Sequence, residues 1–163
     1  MKLTTRLMGL LAVVSGGVMA AGSDGQLTLV HDGKPEAAIV LPERPTLAAQ
    51  WGAHELQWHL RQMTGAELPI LPESQAATGP AIKLWVGDTS RARTLGLTAD
   101  QFKPGEHAFQ ILADAVVFTG IDLKDYRPLT YDPEHLKLTP FPTQFEARGS
   151  ADAVYDFLER EVN

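Results

Sequence analysis

The sequence predicts an α+β domain: a mixed β-sheet of about six strands with two main helices packed on one face. Three observations carry this expectation. Short apolar runs cluster between turn signals, as paired strands do. Two longer segments hold helical periodicity, and each comes after a strand. The longer of them carries a narrow apolar stripe (Ala49, Ala53, Leu56, Leu60 and Met63), which a helix lying on a sheet requires.

The elements follow in order. Residues 26–31 (QLTLVH) alternate in polarity, Asp32-Gly33 is a strong hairpin turn signal, and 37–41 is an apolar run closed by Pro42. Together they predict an opening β-hairpin. Pro45-Thr46 begins the long helix, with Thr46 as N-cap and Gly65 just past its end at Thr64. Residues 66–71 form a short strand that Pro69 confines to a sheet edge. Residues 73–80 are a loop, and 81–86 (AIKLWV) a strand ending at Gly87. Thr89 or Ser90 caps a helical turn to about Leu95, and 107–112 and 115–120 are two strands around Ala113-Asp114. Ser150 caps a last helix over 151–162. The insert 122–148 holds four of the eleven prolines (Pro128, Pro133, Pro140 and Pro142) and four aromatics (Tyr126, Tyr131, Phe141 and Phe145). So long a stretch without regular structure is uncommon inside a compact domain.

The chain has 163 residues and a net charge of −6, with 44% hydrophobic and 21% charged residues, which suits one globular domain and argues against disorder. An acidic chain lacks the electrostatic footprint of a nucleic-acid binder. Cysteine is absent, which excludes a disulfide framework, a thiolate zinc site and a cysteine nucleophile. Residues 1–20 read as a secretory signal peptide. Lys2 and Arg6 precede an apolar run, and Val18-Met19-Ala20 ends it at a cleavage pattern. That run is too short to span a membrane. Cleavage after Ala20 leaves 143 residues, 21–163, with 12 basic against 20 acidic side chains. The expected location is periplasmic or extracellular.

On nearly the opposite side of the long helix from the core stripe sit Leu47, Trp51, His54 and Trp58. Exposed apolar patches of this kind mark contacts, so these four residues are a candidate interdomain surface. The alternatives are that the final helix or the Pro-rich insert covers them, or that they form a sugar-stacking platform.

Several motifs resemble catalytic ones and lack the spacing. His54-Glu55-Leu56-Gln57-Trp58-His59 is close to H-E-x-x-H with one residue too many. Histidines five apart on a helix diverge by about 140° and cannot share a metal from one face. Asp152 and Asp156 share a face of the last helix, but a run of charges there reads as a solvated surface. Gly87-Asp88-Thr89-Ser90 is a single glycine turn without a phosphate-loop pattern, and no serine sits in G-x-S-x-G. The sequence therefore offers no catalytic residue, no metal site and no cofactor site.

Residues 53–65 (AHELQWHLRQMTG) followed by Leu68-Pro69-Ile70 resemble the pattern A-x-E-L-x-x-x-L-x-x-M-T-G-x-x-L-P-I. That pattern belongs to the N-terminal accessory domain of bacterial secreted glycoside hydrolases, the β-N-acetylhexosaminidases and α-glucuronidases among them. Val86-Gly87 is similar to the end of the family's "I-x-x-G" strand, and 105–120 to its late hairpin. Arg148-Gly149 with 153–159 (AVYDFLE) resembles "R-G-x-x-x-A-V-Y-x-F-L-E". The resemblance spans about 27–162, with 122–148 as a departure. It implies the α+β fold and, as partner, a catalytic (β/α)8 barrel of the same parent protein. The family's catalytic carboxylates lie in that barrel and have no counterpart in this sequence. The implied role is a non-catalytic accessory domain that buttresses the barrel. The alternative is a free-standing exported protein that binds a glycan.

Overall fold

The computed structural model describes residues 27–135, 137–140 and 146–162. The proposed signal peptide and the aromatic residues Phe141 and Phe145 lie outside them. In chain order the elements are β1 (Val30–His31), β2 (Lys34–Pro35), β3 (Ala37–Leu41), α1 (Leu47–Thr64), β4 (Ile70–Pro72), β5 (Ile82–Val86), α2 (Ser90–Thr94), β6 (His107–Ile111), β7 (Ala115–Gly120), β8 (Thr130–Asp132), β9 (Lys137–Thr139) and α3 (Gly149–Phe157). Short 3-10 turns occupy Glu73–Thr78 and Ala99–Gln101, and α3 runs on as a wider helical turn over Leu158–Val162.

Among the described residues the main sheet has five strands in the order β4-β3-β5-β7-β6. The three pairings among β4, β3, β5 and β7 are parallel, and β6 joins β7 antiparallel at the far edge. The fold is thus α+β with a mixed sheet, one strand fewer than expected. Pro69 precedes β4, which stands at an edge as predicted. The opening hairpin is smaller than the sequence suggested. Asp32 and Gly33, with φ of 48° and 75°, close a two-residue ladder between β1 and β2. Residues 37–41 are not its return arm. Every residue of β3 is buried, and the strand lies inside the sheet, parallel to both neighbours. A continuous apolar run suits a strand covered on both faces.

Both long helices cover one face. Ala49, Ala53, Leu56 and Leu60 of α1 join Val154 and Phe157 of α3 over Ile39, Leu84, Val116 and Phe118 of the sheet, with Met63 packed at the margin. The stripe read from the sequence is the core face. Phe157 meets Phe118 and Phe109 edge-on, with centroids 5.1 and 5.6 Å apart. Ala38, Val40 and Val117 are also buried and point the other way in the strand alternation, toward the side of the Glu73–Thr78 turn and α2.

Two close approaches fix α3. A Cβ on Gly52 would lie 3.1 Å from the Ala151 Cα, so the two helices cross nearly backbone to backbone. A Cβ on Gly149 would lie 2.6 Å from the Ile121 nitrogen and 2.7 Å from the Gly120 Cα, so α3 starts against the end of β7. Ser150 is not the cap of this helix. It is the second helical residue, and the capping group is supplied from 28 positions away by Asp122, which accepts the Ser150 N–H at 2.8 Å and its hydroxyl at 2.7 Å.

Candidate functional site

The second face of α1 is where the sequence placed its candidate contact, and the chain itself covers much of it. Leu47 and Trp51 are buried, 5% and 7% exposed. Trp51 packs edge-on against Tyr155 of α3, centroids 5.7 Å apart, with the Arg148 guanidinium 5.3 Å from its ring centre. A helix cannot turn two opposite stripes to one sheet, but α3 beside it takes the second. His54 is half-buried and stacks on Tyr131 of β8, 5.2 Å between centroids and 9° between planes. Trp58 is half-buried, with its indole nitrogen shielded from solvent.

Glu55 organises this face, although in the sequence it stands out only as a member of the misspaced histidine motif. One of its carboxylate oxygens accepts from the Tyr131 hydroxyl at 2.8 Å and from the Trp51 indole at 3.3 Å; the other lies 3.6 Å from His59 one turn on. Burial, then the hydrogen bond to Glu55, push the Tyr131 phenol well above its ordinary pKa, so it stays a donor. Burial and the Glu55 charge do the same to Tyr155. Burial pushes the His54 imidazole below its usual range, against the Glu55 charge. Gln50 adds two clasps to the insert, donating to the Arg127 carbonyl at 2.9 Å and accepting the Leu129 N–H at 2.9 Å. The 122–148 stretch thus packs onto α1 and carries its own hairpin of β8 and β9.

The second focus is the carboxyl edge of the parallel strands, where open α/β sheets commonly bind ligands. Here the chain's own carboxylates occupy the helix starts. Thr46 caps α1, accepting the Ala49 N–H at 3.1 Å, and donates its hydroxyl to Asp122 at 2.6 Å. Asp122 therefore ties the first turns of α1 and α3 together. Burial pushes its carboxyl above the ordinary value, outweighing the hydrogen bonds from Ser150 and Thr46. Glu73 fills the start of α2, accepting from both the N–H and the hydroxyl of Ser90 at 2.6 Å.

The motifs set aside on spacing remain apart. His54 faces Tyr131 while His59 faces Glu55, and among the described residues no group of three His, Asp or Glu side chains could hold a metal ion. Asp152 is paired with Arg148 at 3.0 Å. Asp156 lies 3.2 Å from Arg160 and 3.4 Å from His107. Among the described residues no helix is long and apolar enough to cross a membrane. No protein family, curated protein or solved structure matches the chain.

Proposed function

We propose that the chain is a non-catalytic accessory domain of an exported carbohydrate-active protein, and that it buttresses a catalytic (β/α)8 barrel of the same parent. The observation that carries the non-catalytic half is the state of the carboxylates. Glycoside hydrolysis needs two carboxyl groups facing each other across room for a sugar, about 5–10 Å apart. The pair offered by sequence spacing, Asp152 and Asp156, is drawn off into separate ion pairs with Arg148 and Arg160. Glu55 is committed to Tyr131 and Trp51. The accessory half rests on the motif resemblance, and a two-helix, one-faced sheet is compatible with it.

The purified chain should release no aryl glycoside. Added to a barrel encoded in the same reading frame, it should raise the barrel's melting temperature, and a Trp58→Gln, His54→Gln variant should do so less. Turnover by the chain alone, lost in Asp156→Asn, would overturn the non-catalytic half. A frame that encodes no barrel would favour the free-standing glycan-binding protein.

A further inference from the structure

At the carboxyl edge of the sheet, beside the start of α1, an open groove of about 620 Å³ is lined by Arg44 and by the run from Leu123 to Pro128, which brings Lys124, Tyr126 and Arg127 together with one acid, Asp125. Leu123 and Tyr126 are the exposed large apolar side chains among the described residues, at 47% and 38%. The Arg44 guanidinium lies 4.4 Å from the centre of the Tyr126 ring. Among the described residues neither Arg44 nor Lys124 has a carboxylate partner or a hydrogen bond, although the chain as a whole carries net negative charge. The nearby acid Asp125 is taken by Arg127, which binds both of its oxygens at 2.6–3.1 Å. The groove is therefore a cationic and aromatic surface on an acidic protein.

We propose that this groove binds an anionic polysaccharide, with Arg44 and Lys124 holding acidic groups and Tyr126 and Leu123 offering contact to a sugar ring. The groove is built before any ligand arrives. The Asp125 carbonyl accepts the Leu47 N–H at 2.6 Å, and the Leu123 N–H bonds the Ala147 carbonyl at 2.6 Å, so the loop is fastened to α1 and to the segment that leads into α3. Stacking on Tyr126 fixes the Arg44 fork, whose planar donors match a carboxylate two bonds at a time. The groove is shallow and open to solvent, which suits a ligand held at the surface better than a small molecule, since small molecules favour enclosed pockets. An acidic peptide fits less well. Extended peptides are held through main-chain hydrogen bonds to a free edge, and the N–H groups of Leu123, Asp125 and Arg127 are already bonded within the chain. The sugar part of the assignment rests on the exported carbohydrate-active reading above; the anion part rests on the groove.

The test is calorimetric titration of the chain with a hexamer of galacturonate, its methyl ester, a neutral maltohexaose and hexaglutamate. The expected result is binding of the galacturonate hexamer that weakens with salt. Arg44→Gln and Tyr126→Ala should each lower affinity about tenfold, the order expected for a charge-assisted bond or an aromatic contact, with unchanged melting. The ester, the neutral glycan and the peptide should bind at least tenfold more weakly. No binding of the galacturonate hexamer, or equal binding of ester or neutral glycan, overturns the site. Equal binding of hexaglutamate overturns the glycan and assigns the groove to acidic peptides. The barrel-docking measurement is independent: stabilisation of the barrel by a wild-type chain that binds no galacturonate hexamer would leave the buttress standing and remove the groove.

Discussion

Asp122→Ala is the substitution that tests the architecture most directly, because one side chain caps α3 and anchors the cap of α1. The wild-type carboxylate accepts three hydrogen bonds at 2.6–2.8 Å, from the Ser150 N–H, the Ser150 hydroxyl and the Thr46 hydroxyl. Loss of a helix cap costs about 0.5–2 kcal/mol, and a hydrogen bond to a charged group contributes about 1.5–3 kcal/mol. These overlap at Ser150, so the combined loss is about 2–4 kcal/mol, or about 6–15 °C in melting temperature for a chain of this size. Thermal melting followed by far-UV circular dichroism measures it. Asp122→Asn keeps an acceptor for the Ser150 N–H and should recover part of the loss. The pH dependence has a definite sign. Burial holds the folded carboxyl above its unfolded value, so the folded state binds the proton more tightly. That contribution is full below the unfolded pKa of about 4 and is lost as pH rises through the folded value. Wild type should lose stability relative to Asp122→Asn over that window. A melting temperature for Asp122→Ala within 2 °C of wild type, on about 1 kcal/mol or less of stability, would refute the double-cap account.

Leu56 is fully buried between α1 and the sheet, so Leu56→Ala should cost about 2–5 kcal/mol in urea unfolding. Gly149→Ala should destabilise by about 1–3 kcal/mol despite the better helix propensity of alanine, because the new Cβ meets backbone of Gly120 and Ile121 at 2.6–2.8 Å. A neutral or stabilising result would mean that α3 can lift off β7. Tyr131→Phe removes the bond to Glu55 and should cost about 1 kcal/mol. Its mark should be faster amide exchange in β8 and β9 with no change in the core strands; uniform acceleration would contradict a locally held hairpin.

Local chemistry settled most element positions in advance. Thr46 and Gly65 bound α1 where cap preferences put them, because capping is satisfied within a few residues. The 3.6-residue period exposed the stripe from Ala49 to Met63, since burial against a sheet selects one helix face. Pro69 marked β4 as an edge for want of an N–H. What the sequence could not decide is pairing over distance. Residues 37–41 are apolar whether they return a hairpin or run between two parallel neighbours, and only the crossover through α1 determines which. Ser150 has the chemistry of a cap, yet the job falls to Asp122, which the fold brings across from the end of β7. Trp51 is opposite the core stripe and still buried, because whether a second helix lies beside α1 is a property of topology rather than of period. The Glu55–Tyr131 bond and the Arg44–Tyr126 stack join residues 76 and 82 positions apart. Charge and aromaticity are visible at each of these positions in the chain, but the distance between them exists only once the sheet has been assembled.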